Sequence, residues 1–405
     1  MQFRTLGIAG VGALALFAIM VPLNQRYLHL NGSSSSDTNP VEAGMRTPAQ
    51  DVLLGEHRPS AKGKTSSQQL CRSFHQVICR KRGETRDPSG YVRRDIEGEV
   101  ETLHIFEETM TQHPDWTREQ VYEELTQKIY TPEKVKRVRG AFSWVKQSLE
   151  RFIEKQPAKV FSPLEKAILV ARLNNVELSL PPPAHIYDDD PDLITKSGVY
   201  YEMFPDGKAR LRVGGAYLTS VTSWFNIIYT VSHELAHAID PCELREGGVT
   251  VPAYQRLAGC FLKTGLVASR ETRAECGHDD QLSEVFADWM AAQVAGDTLR
   301  RFATEFDAQQ LRHAVVNSVR DLCEQDDSLS ELDLTFHPSP EIRIEKIFGN
   351  NPAIRATLGC TENFSGNSHL ISHTLLSKEL LNPAVPARQM TQSQAAQSNE
   401  YCQFE

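Results

Sequence analysis

The sequence has no Cys-x-x-Cys pair, no long basic run and no internal repeat. The missing cysteine pairs argue against a zinc ribbon held by thiolates, because such sites use closely spaced cysteines. A formal net charge of −9 without a basic run argues against nucleic acid or an acidic surface as a partner, since neither attracts an acidic protein. The 405 residues, 40% hydrophobic and 23% charged, are typical of a globular protein with one or two domains.

The N-terminus departs from this composition, because residues 6–23 form an uninterrupted apolar stretch. The stretch is long for the core of a signal peptide and close to the minimum for a membrane span. No clear cleavage site follows it, and no cysteine there could carry a lipid. Residues 1–30 are therefore either a cleaved signal peptide or an uncleaved membrane anchor. Both predict export of the rest of the chain to the periplasm, the cell envelope or the medium.

The cysteine count agrees with export. Eight cysteines are an even number, which suits disulfides in an oxidising compartment. The sequence does not choose among most of the pairings. We expect one local disulfide, between Cys71 and Cys79.

Composition and periodicity divide the rest of the chain into four regions. A linker rich in Ser, Gly, Pro, Thr and charge should be disordered, and a helical region should follow it. A second folded region and a loose polar tail complete the chain. In order, the boundaries are 31–69, 70–190, 191–375 and 376–405.

Local signals predict an α+β fold that is mostly helical. Candidate helix starts are Asp115, Thr131 and Ser162, the last followed by proline at the first helical position. Two β-prone segments, 198–204 and 209–218, flank an Asp-Gly turn and predict a hairpin.

Two long helices should follow the hairpin, at about 222–240 and 281–302. The first contains His233-Glu234-Leu235-Ala236-His237. Histidines at i and i+4 share one face of a helix, so both imidazoles can bind one metal ion. Glu234 lies on the same face, where it can take a proton from a water molecule. The opposite face is apolar, which argues against a chance His-Glu pair on a solvated surface.

The second long helix carries Glu284 and Asp288, four residues apart and opposite its apolar face. Alone, two such acids are typical of a solvated helix face. Beside an upstream His-Glu-x-x-His, they fit a carboxylate ligand and an acid that orients a ligating histidine. Two histidines and one glutamate leave a fourth zinc position for water, as a catalytic site requires.

The pattern H-E-x-x-H followed by E-x-x-x-D resembles that of the gluzincin zinc metallopeptidases. An aspartate three residues after the second histidine is similar to the neprilysin-like form, of which this chain would be a distant relative. The resemblance implies that residues 191–375 form a zincin-like catalytic domain. It assigns the single zinc ion to His233, His237 and Glu284. It also implies that Glu234 is the catalytic base and that Asp240 and Asp288 orient the two histidines.

A second similarity lies in His337-Pro338-Ser339-Pro340-Glu341-Ile342-Arg343. Neprilysin-like enzymes carry a histidine and an arginine at this spacing, which implies that His337 stabilises the oxyanion and that Arg343 binds a substrate carbonyl. The segment is equally similar to envelope zinc endopeptidases related to the CAAX-prenyl proteases. Its proline is displaced from the neprilysin-like position, and Thr335 replaces an aspartate. A helix-capping or packing role for His337 stays open.

Residues Gly215, Ala216 and Tyr217 resemble the edge strand on which gluzincins align peptide substrates, with glycine in place of the usual asparagine. Backbone pairing with substrate would survive that change. A glycine bulge at a strand end is the alternative.

These features predict a zinc-dependent metallopeptidase, of the endopeptidase kind, that hydrolyses peptide bonds of proteins or peptides outside the cytoplasm. Its partners would be peptide or protein substrates, and the membrane if residues 6–23 stay attached. The alternative is a catalytically silent envelope protein with a zincin fold, acting as a scaffold or partner-binding module. Such a scaffold needs the ligands but has no use for Glu234.

Overall fold

Helices make up most of the described chain, and one small sheet lies among them. The computed structural model describes residues 67–79, 94–182, 190–204, 208–221, 223–267, 276, 281–324, 337–360 and 401–404. All of them lie in one compact unit, Pro48–Glu405. The apolar stretch 6–23 and most of the predicted linker and tail lie outside the described residues.

The first helices follow their capping residues. They are α1 (Ser67–Arg72), α2 (Phe74–Ile78), α3 (Arg94–Gln112), α4 (Arg118–Ile129), α5 (Pro132–Lys155) and α6 (Pro163–Asn174). Thr131 and Ser162 cap α5 and α6, as predicted. The start predicted at Asp115 is wrong by two residues, because Thr117 forms a reciprocal capping box with Gln120 at the start of α4.

The sheet has three described strands, β1 (Val176–Ser179), β2 (Val199–Met203) and β3 (Ala209–Val213), in the order β1-β3-β2. Strands β2 and β3 pair antiparallel, which confirms the hairpin. Strand β1, which the sequence did not predict, pairs parallel to β3. Strand β2 therefore has no described strand on its outer side.

The predicted strand 209–218 is too long. Strand β3 ends at Val213, and a helix, α7 (Gly215–Ser220), begins two residues later. A Cβ atom on Gly214 would lie 2.0 Å from the Lys196 carbonyl oxygen, and one on Gly215 would lie 2.2 Å from that of Ile194. The chain therefore turns here because two glycines allow close contact with the preceding backbone.

The second half of the chain is built on two long helices. Its helices are α8 (Trp224–His237), α9 (Pro241–Glu246), α10 (Pro252–Lys263), α11 (Gln281–Phe302), α12 (Ala308–Val319), a π-helix (Ile342–Phe348) and α13 (Pro352–Thr357). Helix α8 packs against α11. Its apolar face is fully buried at Ile227, Ile228, Val231 and Leu235. Each such side chain contributes about 1.5–3 kcal/mol when it leaves water, so α8 is held firmly in the core.

Four disulfides join distant parts of the chain: Cys71–Cys360, Cys79–Cys323, Cys242–Cys276 and Cys260–Cys402. The predicted Cys71–Cys79 bridge is wrong, because each of these cysteines packs against a separate C-terminal segment. Four disulfides indicate an oxidising, extracytoplasmic environment. Within the described ranges, no helix is long and apolar enough to cross a membrane.

Residues 401–404, near the end of the predicted polar tail, are packed on the core. Cys402 is buried and bonded to Cys260. The Phe404 ring lies 5.0 Å from that of Phe161 and 5.2 Å from that of Trp289, measured between centroids. The disulfide and these aromatic contacts anchor residues 401–404 on the core.

Candidate metal centre

Helices α8 and α11 bring three side chains with metal-binding atoms to one point. His233 and His237 lie one turn apart on α8, and Glu284 lies in the first turn of α11. Nε2 of His233 is 3.0 Å from Oε2 of Glu284, and Nε2 of His237 is 3.7 Å from Oε1. One ligand atom from each residue lies within 4.8 Å of the others. The predicted ligands therefore meet.

The carboxylates beside the two histidines fit a bound cation. Nδ1 of His233 is 2.9 Å from Asp288, and Nδ1 of His237 is 3.1 Å from Asp240. A carboxylate that accepts from Nδ1 leaves the Nε2 lone pair free to bind a metal. Burial lowers the pKa of His233, but Asp288 and Glu284 raise it to about 10. The surrounding carboxylates thus favour positive charge at this position.

Glu284 gives an independent test of the fit. Its Oε2 is buried and lies 3.0 Å from Nε2 of both His233 and His337, although neither contact has the geometry of a standard hydrogen bond. A buried carboxylate oxygen that faces imidazole nitrogens without aligned hydrogen bonds is well placed to share a cation with them. His233, His237 and Glu284 can therefore hold a metal ion.

Asp288 connects the first histidine to the protein core. It is fully buried and accepts hydrogen bonds from Arg343 Nε at 2.7 Å and Nη2 at 2.9 Å. The Tyr229 hydroxyl donates to its Oδ1 at 3.1 Å. Burial opposes ionisation, but the charges of Arg343 and His233 hold the pKa of Asp288 well below its usual range. Asp288 is therefore a fixed carboxylate that orients His233.

Asp240 holds the second histidine in a different way. Its Oδ1 accepts the backbone N–H groups of Cys242 and Glu243 at 2.7 and 2.8 Å and so caps α9. Its Oδ2 faces His237 and also accepts the Ser283 hydroxyl at 2.5 Å. The sequence did not identify Ser283, because a serine before a glutamate carries no specific signal.

Glu234 faces a cavity of about 420 Å³ that borders the metal ligands. Its Oε2 accepts the backbone N–H of Tyr201 in β2 at 2.9 Å. Burial raises its pKa above the usual value, although the neighbouring histidines oppose this. A carboxylate with a raised pKa is suited to accept a proton and return it.

His337 also belongs to this site. Its Nε2 lies 3.0 Å from Glu284 Oε2, its ring stacks 6.4 Å from that of His233, and its side chain is 38% exposed. Arg343, in contrast, is buried against Asp288 and is not among the described residues that line the cavity. Direct contact of Arg343 with substrate therefore has no support from its position.

The three residues predicted to align substrate are placed elsewhere. Gly215, Ala216 and Tyr217 are buried in α7 rather than on a strand, and none is among the described cavity residues. All three residues are buried, and the Tyr217 N–H already donates to the Lys196 carbonyl at 3.2 Å, so this segment offers no open strand edge to an extended peptide. Strand β2 borders the cavity instead, through residues 199–201.

Comparisons with protein families, curated proteins and solved structures find no significant match. A function for this chain therefore rests on the geometry of the candidate metal centre.

Proposed function

We propose that this protein is an exported zinc-dependent metallopeptidase with a gluzincin-type centre on a zincin-like fold. The observation that carries the proposal is that Glu234 faces the same cavity as the candidate ligands His233, His237 and Glu284. A metal scaffold needs the ligands, whereas a hydrolase also needs a base beside them. The donor set of two histidines and one carboxylate is typical of catalytic zinc.

Zinc held there would supply Lewis acidity, which polarises a peptide carbonyl and lowers the pKa of water to about 7. Glu234 removes the proton from the attacking water and delivers it to the leaving amine. The hydrogen bond from Tyr201 fixes Oε2 of Glu234, and we assign proton transfer to Oε1. His337 borders the same cavity and donates to the oxygen that becomes negative in the transition state.

Strand β2 offers the substrate a backbone partner. Gly214 N–H donates to Gly198 O, and Phe204 N–H donates to Lys208 O, both at 2.9 Å. Pairing in an antiparallel ladder alternates along a strand, so the backbone groups of Val199 and Tyr201 point away from β3. Both residues line the cavity. Since the Tyr201 N–H donates to Glu234, an extended peptide would pair with the Val199 backbone and the Tyr201 carbonyl, beside Glu234.

Activity of a Glu234→Gln variant tests the proposal. The zinc-loaded wild type should cleave members of a quenched-fluorescence peptide library, a chelator should stop cleavage, and zinc should restore it. Glu234→Gln should keep its zinc, and its rate of peptide cleavage should fall by about 10²–10⁴-fold. Glu246→Gln, an exposed change of the same kind on α9, is the matched control.

Near-wild-type cleavage by Glu234→Gln would remove Glu234 as the base. Zinc binding by the wild type without cleavage of any peptide would favour the catalytically silent scaffold instead.

A further inference from the structure

The cavity carries more negative charge than the proposed chemistry uses. Its described walls contain carboxylates, tyrosines and histidines but no lysine or arginine. Glu284 is a candidate ligand, Glu234 is the proposed base, and Asp240 is committed to His237 and the cap of α9. Glu243 is the remaining carboxylate of these walls, and it has no role in the proposed mechanism.

The backbone of Glu243 is held in place by a neighbouring residue. Its backbone N–H is held by Asp240, at the start of α9. Within the described part of the chain, its carboxylate forms no ion pair and accepts no side-chain hydrogen bond. Burial, Asp240 and Glu246 raise its pKa, and Arg172 offsets only part of this effect. A cation brought into the cavity would compensate this charge.

Tyr201 lies on the wall of the same cavity, and its ring centroid is 6.2 Å from that of His237. Tyr201 and Glu243 both line this cavity. Burial and the Glu243 carboxylate raise the pKa of Tyr201, and Arg172 opposes part of this effect. A lysine or arginine side chain has an aliphatic stem that can cover an aromatic ring and a cation that can reach a carboxylate. The cavity wall offers both partners.

We infer that Glu243 selects peptide substrates with a lysine or arginine beside the scissile bond. This inference rests on the proposed peptidase function and adds a substrate class to it. The side chain would pack on Tyr201 and place its charge on Glu243, in the cavity that the candidate metal ligands border. Peptides with acidic residues at that position would be repelled.

Matched peptides test the selection. A peptide that the wild type cleaves is resynthesised with lysine or methionine at each of the three positions on either side of the scissile bond. At one position, kcat/KM should favour lysine by about tenfold, equivalent to about 1.4 kcal/mol. Glu243→Gln should reduce this ratio to about one. Glu246→Gln removes the same charge outside the cavity and should leave the ratio unchanged.

Binding gives a second readout that does not depend on turnover. Zinc-loaded Glu234→Gln protein should bind the lysine peptide about tenfold more tightly than the methionine peptide in fluorescence anisotropy. Adding Glu243→Gln should remove the difference. If that double variant folds poorly, a salt titration tests the same interaction. Raising the salt from about 20 mM to about 500 mM should shrink the difference in affinity between the lysine and methionine peptides.

A wild type that cleaves peptides without preferring lysine would overturn this inference and leave the peptidase standing. So would a preference that survives Glu243→Gln. Absence of zinc-dependent cleavage from every peptide would overturn both.

Discussion

Replacing Arg343 by methionine should destabilise the protein by about 3–5 kcal/mol, the usual cost of removing one partner of a buried ion pair. Arg343 is 6% exposed and Asp288 is fully buried. Two charge-assisted hydrogen bonds, at 2.7 and 2.9 Å, join them. The substitution leaves the Asp288 carboxylate with only Tyr229 and His233 as partners. Methionine keeps the volume, so the cost is mainly electrostatic.

Thermal unfolding and zinc affinity measure this effect. For a unit of this size, about 2 °C per kcal/mol gives a fall of roughly 6–10 °C in Tm. Zinc affinity should fall by about 10–100-fold, because Asp288 orients His233. Arg300→Met is the control, since Arg300 is 63% exposed in its ion pair with Asp297 and should cost about 1 kcal/mol or less.

The opposite outcome has a clear meaning. If Arg343→Met kept Tm within about 2 °C and kept zinc affinity, but raised KM, the guanidinium would act on substrate. That is the role implied by the resemblance to neprilysin-like enzymes. The buried ion pair would then not be the reason for an arginine at this position.

Three further changes follow from single contacts. Ser283→Ala should lower zinc affinity by about tenfold in chelator competition, because Asp240 loses a hydroxyl that helps to hold it toward His237. An unchanged zinc affinity would show that the hydroxyl has no such role. His337→Ala should keep its zinc and its Tm, and kcat should fall by about 10²–10³-fold. Loss of zinc would make His337 a ligand. A lower Tm with unchanged kcat would make it a packing residue. Phe404→Ala should cost about 2 kcal/mol, because half-buried aromatic packing is lost; no change in Tm would mean that the chain end contributes nothing to the fold.

Features set within one helical turn could be predicted from the sequence. The i, i+4 spacings of His233 with His237 and of Glu284 with Asp288 put each pair on one helix face whatever the rest of the chain does. The caps Thr131 and Ser162 also act over three residues, so their helices begin where the sequence predicts.

Features decided by distant contacts could not be predicted. The partner of Cys71 lies 289 residues away and that of Cys79 lies 244 away, and no local pattern encodes such pairs. Gly215 lies in a helix because of contacts with the backbone of residue 194, although its neighbours have the composition of a strand. Arg343 matches a substrate-binding arginine in spacing, and only the packing of the π-helix on α11 directs it to Asp288.

Zinc content is the most direct test of the central claim that His233, His237 and Glu284 form a metal site. Elemental analysis of the purified wild type, after zinc loading and removal of excess metal, should find one zinc ion per chain. His237→Ala should abolish stoichiometric zinc, because the remaining two side chains are too few for a stable site. Glu234→Gln, altered at the adjoining cavity, should keep its zinc. Full retention of zinc by His237→Ala would contradict the account.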